Sequence, residues 1–158
     1  MIEATFVLMA FIATIFLVMD LTWGVLTKEA LQNGVRAGVR YAVTSQTSGS
    51  FGQVASIQQE VQQQSMGFLS AAQSTSIVSV CFFSTTSNPP ASLGCGTSAV
   101  AGPTGPANSG GNLVTVTVSS YPFKPLVSLY ISSSTIPITV SSSDLIETSG
   151  PGGIPPSL

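Results

Sequence analysis

The N-terminal part of the chain constrains its fold more than any other part. Residues 4–19 form an unbroken run of apolar and small side chains, in which Thr5 and Thr14 carry the only hydroxyl groups. The pattern turns amphipathic in KEALQNGVRAGVRYAV, so a single helix from about Ile2 to Val43 is predicted. At 1.5 Å per residue this helix would be roughly 60 Å long. Its length and apolar front half favour a membrane anchor or a filament core.

The composition of the chain points in the same direction. The 158 residues carry a net charge of −2, only 6% of them are charged, and the mean hydropathy is +0.47. A dispersed soluble protein normally carries more surface charge. The cations are too few for a nucleic-acid partner, and they number four: Lys28, Arg36, Arg40 and Lys124.

Residues able to carry out chemistry are also scarce. The chain has no histidine, and Asp144 with Glu147 is more simply a polar turn than an acid–base pair. We therefore expect no enzyme activity, no cofactor and no metal site. Cys81 and Cys95 are expected to form a disulfide that closes a loop of roughly 15 residues, with a pair of buried free thiols as the alternative.

Two carboxylates in the first helix are candidate assembly residues. Glu3 either favours the helix N-terminus through the dipole or pairs with the terminal amine of a neighbouring subunit. Asp20 either marks the membrane boundary or pairs with a cation. Lys28 lies about 12 Å further along the axis, so an Asp20–Lys28 pair would join two chains.

Small residues recur at four-residue intervals in the second half of the helix: Ala30, Gly34, Gly38 and Ala42. Each glycine costs about 1 kcal/mol relative to alanine in a helix interior, so close approach of another backbone is expected to offset it. The alternative is a helix seated on the sheet of its own head. Arg36 and Arg40 fall on a neighbouring face, either as solvated side chains or as assembly contacts.

The rest of the chain predicts a small α+β head. A second helix is expected within 54–72, followed by a strand at 76–83, a loop at 84–112, and strands at 112–123 and 135–145. Pro137 predicts a bulge or a sheet edge in the last strand. The predicted organisation is therefore an anchor at 1–27, an amphipathic continuation at 28–46 packed on the head, an α/β head at 47–148 and a tail at 149–158.

The residues that follow the predicted membrane segment give conflicting topology signals. Lys28, Arg36 and Arg40 would place the head in the cytoplasm by the positive-inside tendency. The paired cysteines and the Ser/Thr-rich head favour the opposite side. No basic region precedes the apolar run, so we expect a short basic leader to have been removed ahead of Met1.

The order of these features resembles the TadE-like family of type IV pilin-related proteins. The resemblance covers nearly the whole chain, and it is most specific at ALQNGVRAGVRYAV and at VTVTVSSYPFKPL. Glu3 lies nearer the start of the chain than the equivalent acid of pilins does. The resemblance implies a pilin-like fold, insertion in the inner membrane with the head outside the cytoplasm, cleavage by a prepilin peptidase and polymerisation by a pilus assembly machinery.

Three functions fit these observations. The first is a structural subunit of an extracellular, cell-surface type IV pilus-like filament, a helical homo-oligomer formed through the first helix. The second is a minor TadE-like pseudopilin that primes or caps a filament of another protein. The third is a single-pass membrane-anchored binding module that does not polymerise.

Overall fold

The computed structural model describes residues 2–48, 51–86, 88–96, 106–125 and 135–147. These residues form an α+β fold with one long helix, as predicted from the sequence. The elements are α1 (Ile2–Val43), α2 (Gln53–Gln64), α3 (Ala71–Ile77), β1 (Val78–Ser84), β2 (Ala91–Gly96), a 3-10 helix (Pro106–Asn108), β3 (Leu113–Phe123) and β4 (Ile136–Leu145).

The sheet has the order β2-β1-β3-β4, and every neighbouring pair is antiparallel. Alternating valines on β1 and β3 fill the face that is covered by the helices, as period-two patterning requires: Val78, Val80, Val114, Val116 and Val118. Leu31 and Val35 of α1 and Ile57 and Val61 of α2 belong to the same buried cluster. The core therefore lies between the sheet and the C-terminal half of α1.

Two buried hydrogen bonds hold the C-terminal end of α1 in the head. The side-chain amide of Gln53 donates a hydrogen bond to the carbonyl of Ala42 at 3.2 Å, and Asn108 donates to Oε1 of Gln53 at 2.7 Å. Buried amides require such partners. These two bonds connect α1, α2 and the 3-10 helix.

The second helix expected within 54–72 is present as α2, but it is shorter than predicted, and a third helix, α3, follows it. α2 ends at Gln64, and Met66 and Gly67 adopt positive φ angles of 55° and 83° that an α-helix cannot contain. A capping box between Ser70 and Gln73 then starts α3. This helix continues to Ile77, so β1 begins two residues later than the strand predicted at 76–83.

The loop expected at 84–112 contains an additional strand, β2. The sequence ASLGCG has few residues of high β propensity, so its pattern did not predict a strand. β2 pairs with β1 in a register that places Cys95 opposite Cys81. These two residues form the predicted disulfide, which attaches the edge strand to the centre of the sheet.

β4 is the other edge of the described sheet, in agreement with the edge position that Pro137 predicted. The register of its pairing with β3 shifts between Val118 and Tyr121, where Ser120 has a positive φ of 55°. The apolar stretch after Pro125 and the tail at 149–158 lie outside the described residues.

Candidate assembly surface

From Phe6 to Met19, α1 is exposed on every side and carries only apolar or small side chains. By length and composition, the described chain contains one helix able to cross a membrane, within Phe6–Val43. A helix that is apolar all round requires lipid or protein around it. The large apolar side chains of α1 that the head leaves exposed are Phe6, Val7, Leu8, Met9, Phe11, Ile12, Ile15, Phe16, Leu17, Val18, Met19, Leu21, Trp23, Val25 and Leu26.

Glu3 belongs to the first turn of this helix. Its side chain lies outside the described residues, so the structure gives no partner for its carboxylate. The predicted pairing of Glu3 with a neighbouring amine stays a prediction.

Asp20 interrupts the exposed apolar surface, and the head covers it. Its side chain is 9% exposed, whereas Met19 and Leu21 on either side are more than half exposed. It lies in a cavity of about 420 Å³ between α1 and the ends of β3 and β4, here called the junction groove. Its lining residues are Leu17, Asp20, Leu21, Gly24, Val25, Lys28, Phe123, Pro125, Ile136 and Ile138. Asp20 and Lys28, which the sequence separates by eight positions, therefore share one groove within the chain.

Aromatic contacts fix the head against the middle of α1. The rings of Trp23 and Phe68 meet edge to face, with centroids 5.6 Å apart. On the adjacent side, the ring of Phe123 lies 3.5 Å from the position that a Cβ of Gly24 would occupy. The head thus contacts α1 well before Lys28.

Gly34 and Gly38 pack closely on α2 of the same chain. A Cβ on Gly34 would lie 2.8 Å from the carbonyl oxygen of Val61, and a Cβ on Gly38 would overlap Cγ2 of Val61. The element that approaches these glycines is therefore α2, through its backbone at Gly34 and mainly through the side chain of Val61 at Gly38, and not the sheet, which was the alternative from sequence. Both glycines therefore serve the packing of the head on its own helix.

Arg36 and Arg40 lie on the opposite, exposed side of α1. Among the described residues, neither guanidinium forms an ion pair with a carboxylate. Their one-turn spacing places two like charges side by side on the helix surface. Lys28 is exposed as well, so the cations of the predicted assembly set are the part that the head leaves open.

The junction groove is the feature that sequence reasoning missed. Its walls come from residues more than a hundred positions apart, Leu17 and Asp20 on α1 and Ile136 and Ile138 on β4. The available signal was the apolar run IPI at the start of β4, which contrasts with the polar SSSD that follows in the same strand.

The phenol of Tyr121, in the head, has a shifted pKa. Burial raises the pKa of Tyr121 above its ordinary value of 10.0. Its ring packs against the hydrophobic core at the point where the register of β3 and β4 shifts.

No family model matches the chain, and comparisons with curated proteins and with solved structures give no significant match.

Proposed function

We propose that this protein is a structural subunit of an extracellular, type IV pilus-like filament that polymerises through α1. One observation supports the proposal above the others. The same continuous helix is exposed and apolar from Phe6 to Met19 and then, from Ala30, is buried against a folded head. A subunit built in this way has a folded head and an exposed apolar segment, residues 6–19 of α1, here called the apolar rod. Lipid or other protein must cover the surface of this rod.

The proposed assembly exchanges one apolar environment for another. In the inner membrane, lipid covers the rod before assembly, and in the filament, copies of the same rod cover it. A contact that repeats from chain to chain without closing gives a helical filament. Prepilin peptidase and a pilus assembly machinery are the proposed partners, and no catalytic role is proposed.

The test uses filament yield in sheared surface fractions of cells that produce the full chain. Glu3→Ala should leave the protein in the membrane and strongly reduce filaments, because it leaves the terminal amine of the neighbouring subunit as an unpaired charge inside an apolar bundle. Asp20→Asn should reduce them less, because the head already covers Asp20.

Glu29→Ala is the matched control for loss of a carboxylate from α1. Glu29 is exposed at the level of the head, so its removal should leave the yield unchanged. Normal filaments from Glu3→Ala would refute the role of Glu3. Absence of filaments from the unsubstituted chain, together with a stable membrane-bound form, would favour the anchored binding module.

A further inference from the structure

The end of the head that contains Phe123 and Ile136, here called the base of the head, has an apolar surface that lies beside the N-terminal half of α1. The junction groove extends along the helix down to Leu17, six residues before Trp23, which is about 9 Å along the axis. The strands that form its outer wall end there, at Phe123 and Ile136. Part of the head therefore lies beside the last residues of the apolar rod, and not only beyond its C-terminal end.

The level of the membrane can be placed from α1 itself. The segment from Ala4 to Trp23 is about 30 Å long, which is the thickness of a bilayer's hydrocarbon core. Glu3 lies at one end of this segment, and the amphipathic ring of Trp23, a residue type that favours membrane interfaces, lies at the other. If this segment spans the bilayer, the groove between Leu17 and Trp23 lies at the depth of the acyl chains nearest to the headgroups.

The lining of the groove fits this depth. All of its residues are apolar or glycine except Asp20, which the head buries, and Lys28, which is exposed at the end nearer the head. A lysine in this place can extend its ammonium group to a lipid phosphate while its methylene stem stays on apolar surface. Ile136 is 52% exposed at the mouth of the groove.

The backbone at this end of the sheet also fits an apolar environment. Pro122 on β3 lies directly opposite Pro137 on β4, and Pro125 follows. Proline has no N–H group, so this end of the edge strand has fewer donors to leave unsatisfied in lipid. The far end of β4 carries Ser141, Ser143 and Asp144, and so the strand changes from apolar to polar along its length.

We infer that the base of the head is embedded in the membrane interface and that the junction groove is occupied by lipid acyl chains before assembly. The inference rests on the part of the proposed function in which α1 crosses a bilayer. It assigns the β3–β4 end a lipid-binding role that neither the anchor nor polymerisation requires. Asp20 is then sheltered from lipid by Phe123 and its neighbours in the groove.

The experiment uses fluorescence quenching in vesicles, because Trp23 is the only tryptophan of the chain. The full chain is reconstituted in phosphatidylcholine vesicles in which lipids carry bromine atoms at a shallow or a deep acyl position. In the unsubstituted chain, Trp23 should be quenched most by the shallow bromines. If only aqueous iodide quenches Trp23, the depth assigned to the groove is wrong.

Three single-tryptophan variants in a Trp23→Phe background then locate the head. Ile136→Trp should be quenched by shallow bromines several-fold more than Leu145→Trp, and it should be protected from iodide. Leu145 is the matched control, since it is also 52% exposed and lies at the other end of β4, about 30 Å away along the strand. Phe11→Trp reports whether α1 is inserted, because it should be quenched most by deep bromines.

The outcomes separate the two proposals. If the Phe11→Trp variant is not quenched by lipid, membrane insertion of α1 fails, and both proposals fail with it. If that variant is quenched while Ile136→Trp behaves like Leu145→Trp, only the lipid-binding inference is overturned. A third outcome also overturns it. If the Ile136→Trp probe is protected from iodide but is not quenched by bromines, and if this protection disappears when the chains are diluted in lipid, then a second copy of the chain occupies the groove. Circular dichroism of each variant verifies the fold.

Discussion

The contact of Gly38 with Val61 determines how closely α1 and α2 can approach. Gly38→Ala gains about 1 kcal/mol in helix propensity, but its methyl group overlaps a β-branched side chain that is fully buried and restricted at χ1. Overpacking of this kind costs about 1–3 kcal/mol. We expect Gly38→Ala to lower the melting temperature of the full chain in detergent.

A second substitution isolates this contact. Val61→Ala removes the overlapping Cγ2, so Gly38→Ala should cost much less in that background than alone. Gly34→Ala is the control, because its methyl group would meet the carbonyl oxygen of residue 61, which Val61→Ala retains. Equal costs of Gly38→Ala in both backgrounds would show that the strain has another source.

Because of Tyr121, the stability of the head should vary with pH in the alkaline range. Burial raises its pKa in the folded state above the ordinary value of 10.0. Well below pH 10 both states hold the proton of Tyr121, so this residue contributes no pH dependence there. As the pH rises above 10, the unfolded state loses its proton first, and the free energy of unfolding falls until the raised folded pKa is passed.

This fall should be smaller in Tyr121→Phe, as measured by denaturant unfolding at pH 9 and above. Tyr41→Phe is the control for loss of a tyrosine elsewhere in the fold. An unchanged alkaline slope in Tyr121→Phe would assign the effect to another group.

At the scale of elements, the disulfide holds β2 on the sheet. β2 is an edge strand with little apolar burial, whereas β3 is central and supplies much of the core. In the chain-entropy model, a loop of this length is worth about 3 kcal/mol. In the double variant Cys81→Ser/Cys95→Ser, amides of β2 should exchange hydrogen much faster, while those of β3 should change little.

Amide exchange followed by mass spectrometry on the oxidised and double-variant chains makes this comparison. The Ser119→Ala variant is a control for loss of a side-chain contact elsewhere in the sheet, because the Ser119 hydroxyl bonds the carbonyl of Ile77. If β2 and β3 amides accelerate together in the double variant, the sheet opens as one unit and the disulfide has no local role.

The elements that could be predicted from sequence are those with a strong local pattern. α1 has a continuous apolar run followed by an amphipathic face, and β3 has alternating valines that each lie in the core. β2 could not be predicted, because its pairing with β1 depends on partners and not on its own residue types. The break at Met66 depends on backbone angles that methionine rarely adopts.

Only those parts of the candidate site that depend on neighbouring residues in the sequence could be predicted. Only 6% of the residues are charged, so Asp20, Arg36 and Arg40 could be selected from the sequence. That the head covers Asp20 but leaves both arginines open depends on how β3 and β4 meet α1, which no single segment encodes. The glycine spacing indicated a close contact, and only the fold identifies α2 as its partner.

At the scale of the whole molecule, the arginine pair should matter for assembly and not for folding. Arg36 and Arg40 are exposed, and exposed substitutions away from special features change stability by about 0.5 kcal/mol or less. Removing two like charges one helical turn apart relieves a small repulsion, which offsets the loss of the favourable contact of Arg40 with the helix dipole in the last turn of α1. The Arg36→Gln/Arg40→Gln variant should therefore melt at nearly the same temperature as the unsubstituted chain.

Filament yield from the same variant should fall, because these arginines are two of the three exposed cations through which α1 can contact a neighbour, and they are half of the four cations of the chain. Contacts between exposed charges are screened by salt, so filaments of the unsubstituted chain should also loosen as ionic strength rises, and those of the variant should respond less. Lys124→Gln is the control for loss of a cation from the head. Equal yields and equal salt responses in the double variant and the unsubstituted chain would leave both arginines as solvated side chains, and the contacts between subunits would then be carried by the apolar rod alone.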